Sequence, residues 1–230
     1  MTVREQEWPI EDRIQVRYVL VSVSDKSGLD VLVHGLLKVN PQAMFFSTGG
    51  TYNALRDIGA PNITSVEAYT RFPEMEGGLV KTLHPKIHAG LLGERYNPAH
   101  QKYLSETLQD GVYIDMVVVN LYPFEKKIAE QGVTFEGARG NIDIGGHSML
   151  RAAAKNFMSV AVISDPADYQ RVLAHLGEQE GCTTFEQRFD LARKAFQIIA
   201  AYDRAVLAFM SEQQHSVPDI KKSYRFADQR

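Results

Sequence analysis

The sequence predicts an α/β fold around a mostly parallel sheet. Short, almost wholly apolar runs at residues 16–23 (VRYVLVSV), 43–46 (AMFF) and 116–119 (MVVV) read as strands buried on both faces. Each is followed by a turn rich in glycine, hydroxyl or amide side chains. Helix-period stretches then lead from one run to the next, as βαβ crossovers require. With 230 residues, the chain is long enough for one full core.

Residues 1–15 are polar, hold the only tryptophan, Trp8, and are expected to form an extension that is loosely held or docks through that ring. Strand 16–23 delivers Ser24, Asp25 and Lys26 to its C-terminal end, where open α/β sheets bind ligands. Leu29, Leu32, Val33, Leu36 and Leu37 then share one helix face. Strand 43–46 ends in Ser47, Thr48, Gly49, Gly50 and Thr51, before a helix through Tyr52, Leu55 and Ile58. Strand, hydroxyl–glycine turn and helix make a plausible phosphate cradle, because glycine lets backbone N–H groups approach the anion and the helix dipole favours it. The P-loop spacing is absent.

Residues 63–66 suggest another strand. Residues 69–90 are punctuated by glycine and proline and gather Lys81, Thr82, His84, Lys86 and His88, which suits a binding loop. A zinc reading of His84 and His88 is weakened by Pro85 between them and by the lack of an H-E-x-x-H pattern or a third ligand. A polar helix is expected near 99–109. The run 116–124 carries Asn120 and Tyr122 at its ligand edge. Short helices at 125–130 and 134–139 lead to G-N-I-D-I-G-G-H at 140–147. There Asp143 precedes Gly145 and Gly146, which permit positive φ and close approach. The helix that follows carries Arg151 and Lys155 on one face, readable as solvated charges or as cations for the site. Strand 160–163 and a helix opened by Pro166 come next. Thr183 or Thr184 caps a long helix with the apolar stripe Phe185, Phe189, Ala192, Phe196, Ile199, Val206 and Met210, whose step from Ile199 to Val206 is doubled. That stripe covers the sheet or a partner subunit. Residues 213–230 are polar and are expected to trail off.

Composition narrows the function classes. Hydrophobic and charged contents of 44% and 23% are ordinary for a globular protein. A formal net charge of −3 argues against general nucleic-acid binding. The one cysteine, Cys182, excludes an intramolecular disulfide and fits a reducing compartment. No apolar run approaches about 20 residues, so no membrane helix is expected, and the first residues lack a signal-peptide core. A cytoplasmic location is expected. The strand-end loops would together form a pocket of hydroxyls, glycine N–H groups, lysines and one carboxylate, suited to a phosphorylated metabolite.

Several motifs are more specific than these patterns: S-V-S-D-K (22–26), S-T-G-G-T (47–51), F-P-E-M (72–75), V-K-T-L-H-P (80–85), N-L-Y-P-F (120–124), N-I-D-I-G-G (141–146) and R-A-A-A-K-N (151–156). In this order they closely resemble the IMP cyclohydrolase domain of the bifunctional AICAR transformylase/IMP cyclohydrolases, over roughly residues 18–210. The resemblance implies a methylglyoxal-synthase-like three-layer fold over residues 16–212 and a homodimer. The transformylase domain that normally follows has no room within this length, so the chain is expected to be either one domain of the longer protein or a stand-alone cyclohydrolase with a separate transformylase as a possible partner. The implied reaction closes FAICAR (5-formamidoimidazole-4-carboxamide ribonucleotide) to IMP with loss of water and without a cofactor or metal. Lys81, Tyr122, Asp143 and Lys155 are the implied catalytic set. Asp143 would handle the proton with Lys155 as electrostatic partner, Lys81 and Tyr122 would serve the formyl end, and Gly145 and Gly146 would supply backbone donors. Ser24, Lys26, Ser47, Thr48, Gly49, Gly50, Thr51 and Thr82 would hold phosphate and ribose, and His84, Asn120 and Ile144 complete the expected nucleotide contacts.

Three positions depart from the family pattern. Leu79 replaces an arginine, a planar phosphate clamp whose role would pass to Lys26 or Lys86. Phe157 replaces a histidine. His147 stands where a proline, valine or small residue is usual, as a solvated helix-start residue or an added ligand contact. A regulatory nucleotide-binding module, a methylglyoxal synthase and an assembly subunit remain alternatives. N-L-Y-P-F and N-I-D-I-G-G favour the cyclohydrolase over the synthase.

Overall fold

The computed structural model describes residues 9–73, 75, 76, 79–212 and 216–225. Trp8, Glu74 of the F-P-E-M motif, and residues 77 and 78 lie outside the described residues. The chain runs β1 (Ile14–Gln15), β2 (Tyr18–Val23), α1 (Leu29–Val39), β3 (Met44–Ser47), α2 (Gly49–Ile58), β4 (Ile63–Ser65) and α3 (Val66–Thr70). Further along the chain come α4 (Pro85–Leu92), α5 (Pro98–Lys102), β5 (Met116–Asn120), α6 (Phe124–Ile128), α7 (Phe135–Arg139) and α8 (Gly145–Lys155). The rest comprises β6 (Ala161–Ile163), α9 (Tyr169–Glu178), β7 (Cys182–Thr183), α10 (Phe185–Met210) and α11 (Val217–Lys222).

Five strands form one sheet in the order β4-β3-β2-β5-β6, every pair parallel. Val19, Leu20, Val21, Met116, Val117, Val118 and Val119 on the two central strands are all buried. Their unbroken apolar runs follow from helices covering both faces. The strand order reverses between β2 and β5, which opens a crevice at the carboxyl edge of the sheet.

Several expectations change at the edges of this framework. The N-terminal segment is held from residue 11: the Glu11 and Asp12 carbonyls accept from Arg188, and β1 pairs antiparallel with β7. Arg188 on α10 is fully buried and donates to the carbonyls of Glu11, Asp12, Phe157, Met158 and Thr183 at 2.9–3.2 Å. A domain boundary at residue 15 therefore cuts through a packed strap. The expected 99–109 helix is α5 continued by a π-helical turn, Tyr103–Thr107. On α10 the expected stripe is split: Ala192 and Ile199 are buried, whereas Phe185, Phe189, Phe196 and Met210 are exposed. The core face instead runs through Gln187, Arg188, Leu191, Ala192, Ala195, Ile199 and Phe209. The C-terminal tail carries α11, and the Tyr224 hydroxyl donates to Glu136 at 2.6 Å, so part of it is packed. Among the described residues no helix is long and apolar enough to cross a membrane.

Candidate functional site

A cavity of about 510 Å³ lies at the carboxyl edge of β2, β3 and β5. Ser24 and Lys26 enter it after β2, Thr48, Gly49, Gly50 and Thr51 after β3, and Asn120 and Tyr122 after β5. Lys81 and Thr82 come from the turn before α4, and Asp143, Ile144, Gly145 and Gly146 from the start of α8. Its size falls within the usual range for small-molecule sites.

One end is built to receive an anion. No side chain caps the N-terminus of α2, so its first N–H groups and its dipole address the cavity. Gly49 has φ +49°, and a Cβ on Gly50 would meet nothing within 4 Å. Lys81 Nζ lies 3.5 Å from where a Cβ on Gly49 would sit, which brings a cation to this end. Lys26 Nζ is 3.5 Å from the carbonyls of Val23 and Ser24.

The other end holds Asp143. Its Oδ1 accepts from Gly146 N at 2.7 Å and its Oδ2 from Tyr122 N at 3.4 Å. The carboxylate thus caps the start of α8 while lining the cavity. Burial pushes its pKa above the usual aspartate value, and the Gly146 and Tyr122 N–H groups and the charge of a protonated His147 oppose the shift. The glycine pair serves this packing without a left-handed backbone, since neither residue is among those with positive φ. A Cβ on Gly146 would come within 2.6 Å of Asp143 Oδ2, and one on Gly145 within 2.7 Å of Thr82 Oγ1. The expectation that Gly146 donates to substrate is corrected: its N–H is committed to the carboxylate.

Three expected residues lie elsewhere. Ser47 is fully buried and donates to Val21 O at 2.7 Å, tying β3 to β2. The His84 ring caps α4, with Nδ1 accepting from Lys86 N at 3.1 Å. Lys155 is exposed in the last turn of α8, about 15 Å along the axis from its first residue at the standard rise. Two residues that do line the cavity already have their polar groups engaged. Thr51 Oγ1 bonds both N–H and C=O of Val23. The Asn120 amide accepts from Ser24 N and Asp25 N and donates to Asp25 O. Both shape the β2 turn.

The departures also find their places. Leu79 lines the cavity at 61% exposure. Lys86 cannot replace the missing guanidinium: it is buried, donates to Tyr69 O at 3.0 Å and lies 4.4 Å above the Tyr69 ring. Phe157 packs edge-on against Phe185 and Phe189. His147 is half-buried in the first turn of α8 and outside the cavity lining, and its Nε2 is 2.9 Å from Asp203 Oδ1. Arg151 lies 6.0 Å from the Phe196 ring, facing α10. Sequence reasoning missed Tyr202, whose hydroxyl accepts from Asp143 N at 2.7 Å. A signal existed: Tyr202 sits within the doubled step of the α10 stripe, between Ile199 and Val206.

Parallel sheet, switch-point crevice and glycine-lined helix start define an α/β domain with a pocket of small-molecule size at the carboxyl edge of its sheet. The chain belongs to the MGS-like domain family, whose model matches residues 32–148. The model described as the AICARFT/IMPCHase bienzyme matches residues 153–229. Among similar proteins is the bifunctional purine biosynthesis protein PurH of Magnetococcus marinus, 50% identical over 198 residues, which are 86% of this chain and 36% of that protein. PurH of Chlorobium phaeobacteroides is 47% identical over 201 residues, 87% and 37% of the respective chains. The chain thus spans just over a third of the length of these relatives. A solved structure, that of ForH, superposes with a TM-score of 0.72 at 34% identity and covers 83% of this chain and 95% of its own.

Proposed function

We propose that this chain is an IMP cyclohydrolase, which closes FAICAR to IMP with loss of water as part of purine biosynthesis. The observation that carries the reading is one cavity with an anion-receiving helix start and Lys81 at one end and a partly desolvated carboxylate at the other. The phosphate would rest on the start of α2, near Lys26 and Lys81. The heterocycle would lie toward Tyr122 and Asp143. The carboxamide nitrogen attacks the formyl carbon and loses one proton to Asp143; the formyl oxygen takes up that proton and the one released from the formamido N–H as the C=N bond forms, and leaves as water. The shifted Asp143 pKa suits a group that takes and returns a proton. The relation to PurH supports this chemistry. Lys155, at the far end of α8, has no direct role in this scheme.

The test is IMP formation from FAICAR by the wild-type protein, with turnover above the spontaneous rate expected. Binding of IMP without turnover would instead favour a regulatory nucleotide-binding module. Leu79 in the cavity wall favours that second reading. Leu79→Arg is expected to lower the substrate KM or the IMP Kd by about tenfold, the scale of one charge-assisted phosphate contact. Unchanged or weaker affinity would mean the phosphate is clamped elsewhere.

The reading includes a homodimer. Phe189, Phe196 and Leu207 are exposed along α10 at 43%, 41% and 65%, and an apolar row of this kind suits a self-complementary interface. Sedimentation is expected to give a dimer at micromolar concentration, and Phe196→Glu to weaken it. A wild-type monomer would rule the dimer out.

A further inference from the structure

We propose that Tyr202 on α10 is a positioning residue that sets the Asp143 carboxylate. The proposal rests on the reading of Asp143 as the group that handles the proton. The Tyr202 hydroxyl accepts from Asp143 N at 2.7 Å and donates to Asn141 O at 3.4 Å, bracketing the turn that carries the carboxylate. Its ring belongs to a small apolar cluster around Phe124, Ala138 and Phe209, with its centroid 6.0 Å from that of Phe124. The hydroxyl therefore stands on a packed base and not on a surface loop. The next residue, Asp203, pairs with His147 in the first turn of α8. One turn of α10 thus ties both Asp143, two residues before that helix, and the helix start itself. Through Gly146 N the carboxylate is fixed to the same start. The Asp143 side chain is held from three directions: by Tyr202 at its backbone, by the α8 cap, and by Tyr122 N.

Geometry of this kind acts on kcat more than on binding, because the carboxylate must meet a reacting proton whereas the phosphate is held at the other end of the cavity. A displacement of about 1 Å from a distant substitution lowers rates by about 10²-fold. Tyr202→Phe removes the hydroxyl and keeps the ring in its cluster. The expected result is a fall in kcat of between about tenfold and 10²-fold, with KM and the IMP Kd within about twofold of wild type. The Asp143 amide in the ligand-free protein should also exchange with deuterium faster. An unchanged kcat overturns the proposal, and so does a loss that falls equally on kcat and IMP affinity, since that marks general loosening of the cavity. Unaltered exchange at Asp143 overturns it as well. The functional reading is judged separately: if Asp143→Asn turns over FAICAR like wild type, that reading falls and takes this proposal with it, even where the exchange result is as expected.

Discussion

Asp143→Asn is expected to lower IMP formation by about 10²-fold or more, the low end for removing acid–base catalysis, and to raise the thermal midpoint near neutral pH. Both effects have one cause. Burial raises the Asp143 pKa in the folded protein, so the folded chain binds this proton more tightly than the unfolded chain. The stability gained from that difference is present at low pH. It is lost as pH rises from the ordinary aspartate range through the raised value, because above it the fold must hold an ionised, partly desolvated group. A neutral amide avoids that cost while its oxygen still accepts from Gly146 N. The wild-type kcat/KM should fall on the acid side, with an apparent pKa above that of an ordinary aspartate, as the base becomes protonated. Initial rates across pH and thermal melts of both proteins are the measurements. A rate near wild type for the amide would remove Asp143 from the chemistry.

The second large effect concerns stability. Arg188→Met is expected to cost about 3–5 kcal/mol, the scale for breaking a buried hydrogen-bond network. For a chain of this size that lowers the midpoint by roughly 6–20 °C. Arg188 is fully buried, and its guanidinium bonds backbone carbonyls from three separate segments: residues 11 and 12, residues 157 and 158, and Thr183. Burial lowers its pKa to about 10, which still leaves it charged near neutral pH. Methionine fills much of the volume and leaves those carbonyls without their donor. The N-terminal strap should then exchange and be cleaved by protease first, before the sheet. Arg188→Lys should recover only part of the loss, because one ammonium cannot reproduce the planar fork. A methionine variant melting like wild type would mean that the strap is held by β1–β7 pairing alone.

Much of the framework was legible because it is local. The buried strands announce themselves as unbroken apolar runs. The cradle at 47–51 can be read because a strand, a glycine turn and a helix start are consecutive in the chain. Eight expected site residues reach the cavity for the same reason: they lie at or just after the ends of β2, β3 and β5, and a parallel sheet sends all its strand ends to one edge. The misses are failures of reach or direction. Lys155 shares a helix with Gly145 but lies turns away from it. Ser47 is the last residue of β3 and faces β2, so its hydroxyl serves the sheet. His84 was read as a ligand contact, yet its ring caps the helix that Pro85 opens. The α10 stripe went astray because a long helix under partial cover can carry phenylalanines on a face the core does not use.

By itself, the amino-acid sequence determined the α/β class, the order of the five parallel strands, the glycine-lined turn at 47–51 and the carboxylate at position 143. These follow from periodicity, propensity and turn chemistry, which act over a few residues. Tertiary structure decided what surrounds that carboxylate. The Tyr202 hydroxyl reaches the Asp143 amide across 59 residues of chain, and Arg188 gathers a strap from the far end of the sequence. The Asp143 pKa depends on how much water the assembled loops exclude. Local sequence does not say which distant segments meet, because each partner is chosen by a neighbour that only folding supplies.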